Sequence, residues 1–146
     1  MLSYLDGVLT SLNIDLATAL RMVAAAHAEA ERRSVLVSAA VVDAGGHLVA
    51  FGRMDGAEIA GPALAVDKAY TAVANRIATS ELAGLAAPGG ELFGIHANAG
   101  GRFVIFGGGV PIVVDGTVVG GIGASGASAA DDEACAVAGL AALTRR

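Results

Sequence analysis

The sequence predicts an α+β fold: a single domain with a five-stranded antiparallel sheet and helices packed on both faces of the sheet. Two β-branched runs, residues 110–114 and 117–122, flank Asp115-Gly116, a pair that suits the positive φ angles of a type I′ hairpin turn. A nearly all-apolar run at 35–42 has the pattern of a strand buried on both faces. Short connections between neighbouring strands require that those strands run antiparallel.

The first half of the chain predicts a helix, two strands and a second helix. Asp15 can cap a helix that runs to about Arg33. The turn at 43–46 leads into a second strand at 47–54, and Pro62 suits the first turn of a helix that ends near Ile77. The first helix is expected to bury the residues at 4-3-4-3 spacing, which are Leu16, Leu20, Val23, His27 and Ala30. The second helix is expected to share one face among Val66, Tyr70, Val73 and Ile77.

The second half predicts a short helix, three strands and a final helix. The short helix ends before Pro88, and a glycine-rich loop at 87–101 leads to a third strand at 102–106. The Asp-Gly hairpin supplies strands four and five, and Ser128 begins the last helix. The expected packing face of the last helix is Ala134, Val137, Ala138 and Ala141. The order is α-β-β-α-α-β-β-β-α, a profilin-like arrangement over 1–146, with 1–13 as an N-terminal extension.

Composition narrows the class of protein. The 146 residues carry a net charge of −5, and the nine Lys and Arg residues form no basic run, which argues against a nucleic-acid partner. Neither a signal peptide nor a membrane span is expected, so the predicted location is cytoplasmic. Cys135 is the only cysteine and is expected to be a buried structural thiol. Hydrophobic residues make up 55% of the chain, which favours burial of apolar surface in a homo-oligomer.

The three histidines fit no zinc motif, since no HxH, HExxH or Cys/His cluster is present. His27 lies on the expected apolar face of the first helix, where it is either a hydrogen-bonded structural histidine or an axial ligand of haem iron. His47 begins a strand, and a solvated strand end is its default interpretation. His96 lies in the long loop, where a role as a ligand or as an acid–base group is easier to arrange.

A group of polar side chains could surround a small anion, with arginine as a carboxylate fork and lysine as a point charge. These side chains are Arg53, Asp55, Glu58, Lys68, Tyr70 and Arg102. The alternative is a surface ion-pair group around Asp67, Lys68 and Arg76. The glycines at 107–109 precede a strand rather than a helix, so they do not form a dinucleotide fingerprint.

Several stretches together resemble the GlcG/HbpS-like haem-binding family, which includes the C-terminal domain of PduO-type corrinoid adenosyltransferases. The matching stretches are 41–48, 53–57, 68–72, 108–112 and 119–126, followed by Asp132-Glu133. The resemblance spans about 14–143. It implies an antiparallel sheet with helices on both sides, assembly into homo-oligomers, often octamers, and haem binding.

Two functions are specific enough to test, and an oligomeric accessory protein without its own chemistry also remains open. The first is a cytoplasmic, oligomeric protein that binds haem or another tetrapyrrole, with His27 as the iron ligand. The side chains and backbone expected to hold the cofactor are His27, Arg53, Lys68, Tyr70, Arg102, Gly108 and Gly109. The alternative is a cofactor-independent isomerase, lyase or hydrolase of an acidic metabolite. Its expected catalytic residues are Asp55, Lys68 and His96.

Overall fold

The structure is a computed structural model that describes residues 6–143. The expected N-terminal extension at 1–13 therefore lies partly outside the described residues. The helices are α1 (Leu16–Arg32), α2 (Gly61–Asn75), α3 (Thr79–Leu85) and α4 (Ala129–Leu140). The strands are β1 (Ser38–Asp43), β2 (Leu48–Arg53), β3 (Gly109–Val114) and β4 (Thr117–Ser125). Two short 3₁₀ turns, Ile95–Ala97 and Ala99–Gly101, lie in the loop before β3.

The four strands within residues 6–143 form one antiparallel sheet in the order β2-β1-β4-β3. Successive side chains of a strand point to opposite faces, which divides the core into two layers. Ala39 and Val41 of β1 join the larger cluster with α1 and α4. Val42 points to the other face, where it packs with Ala69 and Val73 of α2. The expectation of helices on both faces is confirmed.

The expected five-stranded sheet is wrong, because residues 102–106 do not form a strand. Thr71 of α2 holds this segment instead. The Thr71 hydroxyl accepts a hydrogen bond from the Val104 N–H at 2.9 Å and lies 3.2 Å from the Arg102 carbonyl oxygen. Of residues 102–106, only Val104 is buried. The segment has the residue types of a strand, but it runs over α2 rather than beside β3.

The hairpin between β3 and β4 is confirmed. Asp115 and Gly116 have φ angles of +49° and +77°, as a type I′ turn requires. Val114 pairs with Thr117 directly beside the turn. The register shifts between Ile112 and Val113, where one strand bulges.

Close packing between α2 and β4 depends on two glycines. A Cβ atom on Gly121 would lie 2.5 Å from the Ala69 carbonyl oxygen, and one on Gly123 would overlap the Ala65 carbonyl oxygen. The α2 backbone therefore rests directly on the strand. Helix α2 occupies the space that the missing side chains leave.

The inward faces of α1 and α4 differ from the expected ones, as does that of α2, where Val73 alone of the four expected residues is buried. On α1, Val23 and Ala30 are buried as expected, but Leu16 and Leu20 are 56% and 52% exposed. The buried positions of α1 are Ala19, Met22, Val23, Ala26 and Ala30. On α4 the buried positions are Asp132, Cys135, Ala136 and Gly139, and Val137 is half exposed. Both helices turn small residues inward, because α1 and α4 also pack against each other.

Candidate functional site

His27 lies on α1 against strand β2. Its Nε2 atom is 3.0 Å from the Gly52 carbonyl oxygen. A Cβ atom on Gly52 would lie 2.8 Å from the His27 ring, so glycine is required for this contact. When Nε2 donates to the carbonyl, Nδ1 carries the free lone pair, and histidines that bind metals usually have their second nitrogen held in this way.

A surface pocket of about 430 Å³ opens beside the imidazole. Its lining residues are His27, Glu31, Leu36, Arg53, Met54 and Asp55. The structure thus brings together three residues that the sequence singled out: His27, Arg53 and Asp55. Leu36 and Met54 add apolar wall, and Leu36 is 45% exposed. The pocket combines an imidazole, a guanidinium and apolar surface, which are the groups needed to ligate an iron, pair a carboxylate and cover a flat apolar ring.

A second polar centre lies in the interior between α2, β4 and α4. The Lys68 ammonium donates to the Asp132 carboxylate at 3.0 Å, the Ala124 carbonyl at 3.1 Å and the Ser125 hydroxyl at 3.2 Å. Lys68 is 0% exposed and Asp132 is 2% exposed. Burial lowers the pKa of Lys68, and the Asp132 carboxylate opposes that shift. We name these groups, Lys68, Asp132 and Ser125, the interior cluster.

The alternative of a surface ion-pair group fails for Lys68, because its partner is Asp132. Asp67 pairs instead with Arg102, whose Nε lies 3.0 Å from the Asp67 carboxylate. The Arg102 guanidinium also lies 3.8 Å from the centre of the Tyr70 ring, and Tyr70 stacks on Phe103 at 5.9 Å. Arg102 and Tyr70 therefore form a third polar group on the outer side of α2.

The other predicted site residues lie elsewhere. His96 is exposed in the 3₁₀ turn Ile95–Ala97, where its ring meets the edge of Phe93. Gly108 and Gly109 cover the interior cluster, since a Cβ atom on Gly108 would lie 2.6 Å from the Lys68 Nζ atom. Asp55, Lys68 and His96, the catalytic residues of the enzyme alternative, occupy three separate places.

Asp132 and Ser125 were missed as partners of Lys68. Asp132 lies in the first turn of α4, but its side chain turns inward and also accepts the Ala127 N–H at 2.9 Å. A signal was available in the sequence, because Lys68 is the single lysine and alanines flank it at the helical spacings of Ala65 and Ala72. A lone cation on a small apolar helix face indicates burial with an acidic partner.

No helix within 6–143 is long and apolar enough to span a bilayer. In that same range, no three His, Cys, Asp or Glu side chains gather as a metal site would require.

The fold and the sequence together define the class of protein. The family model described as haem-degrading protein HbpS-like matches residues 14–141, and the chain belongs to this family. A relative from Citrobacter freundii, a 15.0 kDa protein encoded between dhaT and dhaS, is 38% identical over 127 residues, which are 87% of this chain and 89% of that protein. The corrinoid adenosyltransferase PduO of Salmonella typhimurium is 39% identical over 119 residues, which cover 82% of this chain but 35% of PduO.

Solved structures agree with this membership. A crystal structure of a PduOC–haem complex superposes with a TM-score of 0.86 at 35% identity, covering 90% of this chain and 96% of that one. An HbpS double mutant from Streptomyces reticuli superposes with a TM-score of 0.90 at 33% identity, covering 99% of this chain and 97% of that one.

Proposed function

We propose that this protein binds haem in the pocket beside His27 and works as a homo-oligomer in the cytoplasm. The observation that carries the proposal is that His27 and Arg53, selected from the sequence as iron ligand and propionate partner, line one pocket. The haem complex of the related PduOC domain supports it.

The residues of the pocket fit a haem group. The imidazole of His27 would ligate the iron, and its hydrogen bond to the Gly52 carbonyl would fix the orientation of the imidazole ring. Arg53 would pair with a propionate, while Leu36 and Met54 would contact the porphyrin face. Bound haem would supply an iron centre whose reactivity depends on the axial ligand and on pocket polarity. The carboxylates of Glu31 and Asp55 would repel the propionates, so the propionates would have to turn towards Arg53.

The remaining cofactor residues expected from the sequence line other parts of the molecule. Tyr70 and Arg102 stack with each other on the outer side of α2, and Lys68 already has three hydrogen-bond acceptors. Of the cofactor residues expected from the sequence, His27 and Arg53 are therefore the two that line the haem pocket.

A haem titration followed by absorbance tests the site. Wild-type protein is expected to saturate near one haem per chain with a shifted Soret band. His27→Ala is expected to lose the specific band, and Arg53→Ala to weaken binding without changing the ligand field. His47→Ala and His96→Ala serve as matched controls, because both histidines are exposed and lie outside the pocket. Unchanged binding in His27→Ala would reject the site.

Self-association is proposed to involve the exposed leucines of α1 and the segment before it. Leu12, Leu16 and Leu20 are 59%, 56% and 52% exposed. They are spaced by four residues, and Leu16 and Leu20 lie one turn apart on the outer side of α1. Exposed leucines grouped in this way mark an interaction surface more often than isolated leucines do.

A further inference from the structure

Lys68 is the single lysine of the chain, and the other eight of its nine basic residues are arginines. Arginine thus fills the remaining basic positions, while the one lysine is fully buried in the interior cluster. The two side chains differ chemically, because arginine stays protonated in proteins whereas a buried lysine can lose its proton and act as a nucleophile. Lysine at this one position therefore indicates a role for its reactive amine in addition to its packing in the core.

The neighbours of Lys68 are suited to proton transfer. The Asp132 carboxylate lies 3.0 Å from Nζ and can accept a proton from it, and the Ser125 hydroxyl lies 3.2 Å away. Burial lowers the pKa of Lys68 against the attraction of Asp132 and of Glu58. Buried ion pairs add little net stability compared with apolar residues, so stability alone is a weak reason to keep one.

Only a thin layer separates this amine from a surface pocket. The Lys68 Nζ lies 5.0 Å from the centre of the Phe106 ring, and Phe106 is 44% exposed. On its outer side Phe106 lines a pocket of about 360 Å³ together with Gly107, Ala129 and Ala130. The lining of this pocket is mostly apolar, with Ser80 and Glu133 as its polar members. Phe106 thus contacts both the buried amine and the surface pocket.

We propose that Lys68 is a reactive amine that forms an imine with a small aldehyde or ketone admitted through the Phe106 pocket. This activity is independent of haem binding, because the interior cluster shares no residue with the His27 pocket. The apolar lining of the pocket favours an aldehyde or ketone with a short hydrocarbon chain. The carbonyl group of that compound reacts with Lys68 of the interior cluster.

The proposed step conserves atoms and charge. The Lys68 ammonium first gives a proton to Asp132, and the neutral amine adds to the carbonyl carbon as a proton moves from nitrogen to oxygen. Asp132 then returns its proton to the hydroxyl group, which leaves as water while the C=N bond forms. The product is a protonated imine that carries the same positive charge beside the Asp132 carboxylate as the ammonium did. The Ser125 hydroxyl is placed to hydrogen-bond the departing oxygen.

Reductive trapping tests the proposal. Native protein is incubated with propanal and cyanoborohydride beside a short lysine peptide as the reference amine, and propylation is located by peptide mass spectrometry. Lys68 is expected to be propylated faster than the peptide lysine. Labelling at or below the rate of the peptide, or labelling only after unfolding in denaturant, overturns the proposal.

Two variants test the two parts of the proposal separately: proton transfer by Asp132, and access of the carbonyl compound through the Phe106 pocket. Asp132→Asn cannot return the proton with which water leaves, and it is expected to slow trapping on the order of 10²-fold. Loss of the carboxylate also lowers the pKa of Lys68, so trapping rates are compared across pH, and circular dichroism checks that the variant is folded. Phe106→Ala removes the ring beside Nζ but keeps all three hydrogen-bond partners of Lys68, and it is expected to speed trapping. An unchanged rate in Phe106→Ala overturns the route through the pocket. The haem titration is unaffected by either result, so the failure of one proposal does not imply failure of the other.

Discussion

At the scale of single residues, Lys68 and Asp132 depend on each other. Asp132→Asn leaves a buried ammonium without its counter-charge, and we expect a loss of about 3–5 kcal/mol in the free energy of unfolding. The double variant Lys68→Met, Asp132→Asn removes both charges and is expected to recover part of that loss. Urea denaturation of wild type, Asp132→Asn and the double variant measures the loss and its recovery in the free energy of unfolding. Equal stability of Asp132→Asn and wild type would contradict the interior ion pair.

Cys135 gives the stability a defined pH dependence. Burial, followed by the nearby Asp132 carboxylate, raises the pKa of the Cys135 thiol from 9.0 to about 11. The unfolded thiol ionises first as pH rises, so the stabilisation is present below pH 9 and is lost between about pH 9 and 11. Across that range, the free energy of unfolding of wild type should fall relative to Cys135→Ala by on the order of 2–3 kcal/mol.

The quantity to compare is the difference in the free energy of unfolding between wild type and Cys135→Ala, because both proteins retain Lys68. The lowered pKa of Lys68 acts in the opposite direction and stabilises the fold as pH rises towards 10.5. Taking the difference cancels that contribution. A pH-independent difference would show that the thiol is not buried in the folded protein.

Individual residues were predicted unevenly from the sequence. His27 makes a hydrogen bond to the Gly52 carbonyl, as one of its two interpretations expected, and Cys135 is buried as expected. The partners of Lys68 were not found, since Ala124, Ser125 and Asp132 lie 56 to 64 residues further along the chain. Contacts of that separation depend on sheet topology, which local patterns do not encode.

At the scale of elements, the contact between α2 and β4 depends on the absence of side chains. Gly123→Ala places a methyl group onto the Ala65 carbonyl oxygen and next to the Ala69 backbone nitrogen. Overpacking of this kind costs about 1–3 kcal/mol or more, and the fixed backbone places this substitution at the upper end. Thermal denaturation followed by circular dichroism measures the effect.

A matched control lies in α3. Gly84 is exposed within that helix, and a Cβ atom there would meet nothing within 4 Å. Gly84→Ala is therefore expected to stabilise the protein by about 0.5–1 kcal/mol through the loss of glycine's freedom in the unfolded chain. Destabilisation by both substitutions to a similar degree would contradict the packing account.

Elements that carry their own local signal were predicted well. Asp115-Gly116 specified the hairpin turn by itself, and the Asp15 carboxylate caps α1 at the Thr18 N–H as expected. Residues 102–106 have a strand composition, yet a strand requires a partner, and here the Thr71 hydroxyl bonds this backbone instead. The buried face of α1 differs from the predicted one because Leu16 and Leu20 face outward. A prediction that assumes large apolar residues are buried misses this arrangement.

At the scale of the whole molecule, the outward leucines predict self-association. A variant carrying Leu16→Gln and Leu20→Gln is expected to shift towards the 14.3 kDa monomer in size-exclusion chromatography with light scattering. Leu85→Gln, a substitution of a 38% exposed leucine on α3, serves as the control and should keep the wild-type mass. A wild-type mass in the double variant would exclude this surface from the interface.

The measurement that tests the central claim most directly is chemical rescue of haem ligation. His27→Ala with haem is titrated with free imidazole and followed in the Soret region. If His27 is the iron ligand, imidazole enters the space that its ring vacates and restores the wild-type spectrum, while His96→Ala needs no rescue. A wild-type spectrum in His27→Ala before imidazole is added would contradict the account, because the iron would then be held by a different residue.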